Sequence, residues 1–364
     1  MFRLRTGQIR YSRGRRLAAV AFLSLLLSSF ADYLLAYWVR LPRSTPWQAT
    51  GIYRRIGPES GPQVFCAGSS LLIAAFSWPA ISESLGQGIE NWSVGGSSPD
   101  LWEQWQQHEQ RSNATIIGVS VYDLNEMHVA EDRANIVPLS RTITDLWASD
   151  TDPALSHRLL TQYALKYVRL LFPTAGYADK VQVGLRYRIA RALGLERSLG
   201  DHEGVLHERA GVLDIEEDTM RVSDWSSARL LRRIEALKDE NHGRHEFARG
   251  PKHLAFQRML LRARRQGRVI IVVLPVSSTY TNEFIDEGAA VAFEKAIQDA
   301  AAIAPGANLV RLDRVPAISD PRYFFDLVHL NSFGRSLATK SFLTELSKGE
   351  SLAAASAVSI TPHN

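Results

Sequence analysis

Cysteine is almost absent from this chain: Cys66 is the only one in 364 residues. No intrachain disulfide can form, so cross-links do not hold the fold. Cys66 lies in the apolar run Val64-Phe65-Cys66-Ala67, which suits a buried and inert thiol. Acid is absent from the first sixteen residues, which carry Arg3, Arg5, Arg10, Arg13, Arg15 and Arg16. Beyond that arm, 36 basic residues face 38 acidic ones, so the net charge of +4 belongs to the arm. A near-neutral body gives no surface for nucleic acid, and none is expected as a partner. The chain also lacks internal repeats. It lacks the flanking glycines of a G-x-S-x-G element, which argues against an α/β-hydrolase. The close histidine pairs, His202 with His207 and His242 with His245, fall in a charged stretch and are a weak basis for zinc. No metal or other cofactor is expected.

What the chain does have is apolar residue in quantity, 45% of the total, enough for one large domain or two smaller ones. Residues 17–39 form a nearly unbroken apolar run of 23 residues. As a helix this run can cross a hydrocarbon core of roughly 30 Å. Tyr33, Tyr37 and Trp38 gather at its far end, as interfacial aromatics do. The basic arm, residues 1–16, keeps the N-terminus in the cytoplasm by the positive-inside rule, and everything after residue 40 then lies outside. Ser29-Phe30-Ala31 offers a competing signal-peptide cleavage site. The apolar run continues past it through Leu34, Leu35 and Val39, which favours an uncleaved single-pass anchor. Asp32 is the one awkward residue in the span.

Residues 40–62 contain Pro42, Pro46, Pro58 and Pro62 and read as a linker. From residue 63, short buried strands alternate with helices. The strands are expected at 64–67, 89–94 and 115–121, and the pattern argues for a parallel sheet. The helix expected at 71–86 is bent or interrupted by Pro79. From about 127 to 265 the rhythm gives way to charged helical sequence, read as an insertion or cap. The sheet resumes at 268–275, with a last strand at 308–312. Asn331 can cap a helix whose face shows Phe333, Leu337, Phe342 and Leu346. The α/β domain is therefore expected over 63–126 and 266–348, with a flexible tail at 349–364.

The chemistry-bearing residues fall at the carboxyl ends of these strands. Gly68-Ser69-Ser70 follows the first strand and opens a helix, which aims free N–H groups and a hydroxyl at the sheet edge. Open α/β sheets bind ligands at that edge. Asp326 and His329 are three residues apart, a spacing that puts both side chains on one face of a turn. A serine becomes a nucleophile when a histidine takes its proton and a carboxylate orients that histidine. Gly95 and Gly96 follow the second strand and can offer backbone N–H groups to an oxyanion. Asn125 follows the third strand and can offer a side-chain amide.

On these blocks the chain resembles the SGNH, or GDSL-type, hydrolase superfamily. Gly68-Ser69-Ser70-Leu71 resembles its first block, Ser93-Val94-Gly95 the second, Asp123-Leu124-Asn125-Glu126 the third and Asp326-Leu327-Val328-His329 the last. The chain departs from the family where Ser69 replaces the usual aspartate and where the third block lacks Gly-x-Asn-Asp. The resemblance implies a three-layer, flavodoxin-like parallel-sheet fold with Ser70, Asp326 and His329 as catalytic triad. It implies Ser70, Gly95 and Asn125 as oxyanion donors. With the anchor, the chain is similar to the envelope branch of the superfamily, which includes alginate-type O-acetyltransferases and the D-alanyl-transfer protein of the teichoic acid pathway. The expected function is then an acyl-ester hydrolase or O-acyltransferase on the periplasmic side of a bacterial plasma membrane. Its expected partners are the membrane, an acyl donor and an envelope glycan, and a membrane acyltransferase or polysaccharide synthase is a further partner the resemblance allows. The alternative is a non-catalytic scaffolding or polysaccharide-binding partner of a membrane synthase.

Overall fold

The computed structural model describes residues 6–38, 54–58, 63–107, 112–129, 133–149, 151–175, 181–182, 185, 188–189, 220–239, 242–247 and 250–358. Most of the expected linker at 40–62 and much of the expected insertion lie outside them. The chain divides into two compact units, Met1–Ser44 with Leu160–Arg209, and Thr45–Leu159 with Ala210–Asn364.

The larger unit is α/β. Its strands are β1 (Arg54–Ile56), β2 (Gln63–Ala67), β3 (Gly88–Asn91), β4 (Ser112–Val119), β5 (Arg268–Val273) and β6 (Asn308–Arg311). They form one sheet in the order β1-β3-β2-β4-β5-β6. All neighbours are parallel except β1, which pairs antiparallel with β3 as a short edge strand. The parallel part has the order 2-1-3-4-5, a doubly wound topology whose strand direction of travel reverses between β2 and β4. Strand β5, Arg268-Val-Ile-Ile-Val-Val, is buried at every residue after the first. Such a run without alternation is what a parallel strand needs when helices cover both faces.

The covering helices follow from local signals. Helix α1 (Thr6–Trp38) belongs to the other unit. After β2 the helix expected to be bent or interrupted by Pro79 is interrupted, into α2 (Ser70–Ala75) and α3 (Trp78–Leu85). Pro79 has no N–H to give, so it starts α3 rather than bending a longer helix. Helix α4 (Pro99–Gln106) buries Leu101, Trp102 and Trp105. Helices α5 (Val121–Leu124), α6 (Arg133–Ile136), α7 (Leu139–Ala148) and α8 (Pro153–Arg169) follow β4, and then α9 (Ser227–Asp239).

Helix α10 (Pro251–Gln266) buries Ala255, Phe256, Met259, Leu260 and Ala263 against β4, β5, α4 and α12 (Glu287–Ile303). Residues 251–265, expected within the insertion, are thus the crossover helix between β4 and β5 and part of the main core. Short α11 (Ser278–Phe284) follows β5. Helix α13 (Ser332–Val358) packs on α2, α3 and β6 through Ala338, Phe342 and Leu346. Phe333, expected on that face, is 49% exposed and lies under the Arg221 guanidinium. The helix continues through 349–358, part of the expected flexible tail, whose remaining residues 359–364 lie outside the described residues.

The smaller unit contains α1, in which Ala18–Trp38 is a 21-residue apolar stretch with no buried side chain. By length and composition it can cross a membrane, and a signal sequence has the same character.

Candidate active site

Strand β2 ends at Ala67, and Gly68 carries the chain into the turn before α2. Ser69 is the N-cap: its hydroxyl accepts from the Leu71 N–H at 3.2 Å, and the residue is fully buried. Ser70 is the first helical residue. Its N–H has no intrahelical acceptor at that position, and its side chain leans to the sheet edge. There the Ser70 Oγ lies 2.7 Å from His329 Nε2.

The partner histidine is held by a turn that a single aspartate organises. Asp326 Oδ1 accepts the backbone N–H groups of Val328 at 2.8 Å and His329 at 2.7 Å. Its other oxygen, Oδ2, is 2.8 Å from His329 Nδ1. One carboxylate therefore fixes both the loop and the ring. With Nδ1–H donating to Asp326, Nε2 is left as the acceptor that faces the serine. Phe325 stacks on the imidazole, ring centroids 5.3 Å apart.

The electrostatics tie the two groups to each other. Burial favours neutral forms of both groups, but the mutual attraction outweighs it. The Asp326 carboxyl is held down at about 2 by His329 and its hydrogen bonds. Burial alone would lower His329, yet the Asp326 charge and hydrogen bond raise it above the usual histidine value.

Two ties that carry no sequence signal bring these pieces together. The Ser277 hydroxyl, at the end of β5, donates to Leu327 O at 2.7 Å, and its own N–H donates to the same oxygen. This pins the Asp326–His329 turn to the sheet. The Ser97 hydroxyl is within hydrogen-bond distance of both Gly68 O (3.0 Å) and Val94 O (2.6 Å), and accepts from Trp102 Nε1 at 2.7 Å. This pins the Gly95–Gly96 loop to the turn that carries Ser70. Gly96 has φ +67°, in the left-handed region that glycine enters without a Cβ penalty. A Cβ on Gly95 would meet Ser70 Cβ at 3.8 Å, so the loop backbone runs directly beside Ser70. Asn331 completes the frame by capping α13 through Phe333 N–H and Gly334 N–H.

Asn125 is different. Instead of aiming its amide at an oxyanion, as its place after the third strand suggests, it donates from Nδ2 to Arg244 O at 2.8 Å. Its Oδ1 accepts from Met127 N–H and Glu246 N–H, at 3.1 and 3.2 Å. The carboxamide is buried and ties the end of β4 to residues 244–246, so it is not directed at Ser70 as an oxyanion donor. Nearby, Glu126 accepts from the Lys252 and His253 N–H groups at the head of α10. Lys252, almost fully buried, donates its ammonium to Asn125 O at 2.7 Å. Gly250 is needed for this approach, because a Cβ there would lie 2.4 Å from Glu126 Cδ. Asp123 closes a capping box with Ser120, and burial pushes its carboxyl up to about 6 against the pull of Ser69 and Ser120.

His242, one of the histidines weighed for a metal, joins a buried polar chain. His128 Nε2 is 2.9 Å from His242 Nε2, and His242 Nδ1 is 3.0 Å from the Tyr280 hydroxyl. Burial lowers both histidines, His128 to about 2 and His242 to about 4, so both are neutral near pH 7. His202 and His207 lie outside the described residues.

No family model matches the chain, and no curated protein does. Among solved structures, one from Streptococcus pneumonia, provisionally described as a platelet activating factor, matches with a TM-score of 0.33 at 10% identity. That match covers 90% of this chain and 99% of the other. A likeness so distant carries no argument about function.

Proposed function

We propose that the chain is a membrane-anchored serine acyl-ester enzyme of SGNH type, a hydrolase or O-acyltransferase acting on an envelope acyl ester such as an acylated polysaccharide outside the cytoplasm. The observation that carries this reading is the continuous Ser70–His329–Asp326 hydrogen-bonded chain, at 2.7 and 2.8 Å, on one edge of a doubly wound sheet.

In this reading His329 Nε2 takes the Ser70 proton as Ser70 Oγ bonds to the acyl carbonyl carbon. The carbonyl oxygen becomes an oxyanion beside the N–H groups of Ser70 and Gly95. Collapse breaks the bond to the leaving alcohol, which receives the proton from His329. Water or an acceptor hydroxyl then gives its proton to His329 and attacks the acyl-Ser70 carbon, which restores Ser70. Asp326 stays ionised throughout and holds the imidazolium. Two oxyanion donors come from backbone, so the reading does not need Asn125.

A serine-reactive fluorophosphonate tests it. Labelling of the wild-type chain at Ser70, lost in Ser70→Ala, supports the enzyme. A folded wild-type chain that takes up no label points instead to the non-catalytic partner of a synthase.

A further inference from the structure

The smaller unit contains a second apolar feature that the proposed enzyme does not use. After the last turn of α8 the chain makes a compact turn at 170–175, Leu-Leu-Phe-Pro-Thr-Ala. This turn is held to α1 by the few polar residues of the apolar span. The Ser29 hydroxyl donates to Leu171 O at 2.5 Å, and the Tyr33 hydroxyl donates to Leu170 O at 2.8 Å. The Asp32 carboxylate accepts from Thr174 N–H at 2.9 Å and from the Thr174 hydroxyl.

The turn's own backbone is closed as well. The N–H groups of Leu170, Leu171, Phe172 and Ala175 donate to Tyr167 O, Val168 O, Val168 O and Phe172 O. Pro173 has no N–H. Arg169 Nε donates to Ala175 O at 2.7 Å. Every N–H that exists between 170 and 175 is therefore hydrogen-bonded. The side chains do the reverse: Tyr167, Val168, Leu170 and Leu171 are 45–66% exposed. In water, apolar groups so placed lose contact energy and the closed backbone gains little. At the headgroup–acyl boundary an exposed apolar face gains burial, and N–H groups already paired lose nothing when water leaves them.

Depth supports the same occupant. Ser29 and Tyr33 lie about 14 Å and about 8 Å along α1 from Trp38, at roughly 1.5 Å per residue. The turn bonded to them then lies near the headgroup–acyl boundary of the outer leaflet if α1 spans. Lys166 and Arg169, in the last turn of α8, carry basic charge beside it, suited to anionic headgroups. Asp32, awkward in an apolar span, becomes the cap of the turn, a partnered carboxylate rather than a bare charge in lipid.

We propose that residues 167–175 form a second, monotopic membrane element, which enters the outer part of the bilayer on the scaffold of α1 and rests its apolar face on lipid. The proposal rests on the anchor reading of α1. Its test is a set of nitroxide labels on the full chain reconstituted in vesicles of phosphatidylcholine and phosphatidylglycerol. Labels are placed at Leu171→Cys, at Leu25→Cys on α1 and at Val291→Cys on α12, all at exposed positions. Cys66 is fully buried and does not compete. Oxygen should relax the labels at 25 and 171 more than a water-soluble nickel chelate does, and the order should reverse at 291. Lipid exposure at 25 with water exposure at 171 overturns this proposal and leaves the anchor standing. Water exposure at both overturns both. A label at 171 reached by neither reagent means that protein covers the face, and also overturns the lipid assignment.

Discussion

Two strand ends of one sheet carry similar residues and use them in opposite ways. At the end of β2, a serine hydroxyl meets an imidazole whose far nitrogen is fixed by a carboxylate, and both Ser70 and His329 keep some exposure. At the end of β4, a carboxamide, two carboxylates and a lysine are buried, and their polar atoms are largely spent on backbone. Asn125 makes three such bonds, Glu126 caps a helix and Lys252 fills a carbonyl pair. A group that has used its hydrogen-bonding capacity holds structure. A group with capacity left at an open edge can act on a substrate. The difference makes the third block architecture, and under the proposed function chemistry falls to the first and last.

The sharpest way to break this contrast is Ser70→Ala. It should abolish fluorophosphonate labelling and lower small-ester turnover by roughly 10³-fold or more, the scale of losing a triad member. His329→Ala should match it, and the double variant should lose no more than either alone, because the two act as one unit. Additive losses would mean that they do not work together.

Asp326→Asn should cost less, by roughly tenfold to a hundredfold relative to Ser70→Ala. It should also move the pH profile. His329 acts as base only when neutral, and Asp326 holds its pKa above the ordinary histidine value. The wild-type acid limb should therefore lie above about pH 6.5. Removing the charge leaves burial, which lowers His329, so the limb should shift to lower pH. The same linkage appears in stability. The raised His329 contributes below the unfolded-state value, and that contribution is lost as pH rises through the folded one. The depressed Asp326 contributes above about 3.8, and its share is lost as pH falls toward about 2. A limb that stays in place, measured as kcat/KM against pH, would show that Asp326 does not orient this histidine.

At the β4 end the expected effects are on folding. Lys252→Met strands buried carbonyls and carboxylates, and should destabilise by about 3–5 kcal/mol in urea unfolding. Asn125→Ala should cost about 1–3 kcal/mol while the folded fraction keeps turnover within roughly tenfold. A loss of 10²–10³ in kcat without a stability change, the scale of an oxyanion donor, would return Asn125 to the site and end the comparison.

Strands β2, β4 and β5 are legible in the sequence because each carries a short apolar run, Val64–Ala67, Ile116–Val119 and Val269–Val273, and the positions of Ser70, Asp326 and His329 because they follow such strands. Strand β1 is not, since Arg-Arg-Ile in three residues has no pattern to read. Helix α10 reads as part of the insertion because its basic residues, Arg258, Arg262, Arg264 and Arg265, are interleaved with its apolar ones. Only in three dimensions do Phe256, Met259 and Leu260 separate from them and turn inward. The role of Asn125 depends on residues 244 and 246, about 120 positions away, which no local pattern signals. Ser97 and Ser277 are hidden for the same reason: a serine that braces a loop through a remote carbonyl reads like any other serine in a turn.

The smallest expected effect distinguishes the two adjacent serines. Ser69 and Ser70 differ by one position but meet different partners. Ser69 is fully buried, caps α2 through the Leu71 N–H, and adjoins the Asp123 carboxyl. Ser70 is the one that reaches His329. Ser69→Ala should therefore remove a cap worth about 1 kcal/mol and lower the unfolding midpoint slightly. Labelling at residue 70 should persist at close to the wild-type rate. Paired measurements of the urea midpoint and the rate of fluorophosphonate uptake separate the two roles. If uptake vanishes in Ser69→Ala while the midpoint holds, the nucleophile is one residue earlier, and the hydrogen bond from Ser70 to His329 is only a brace.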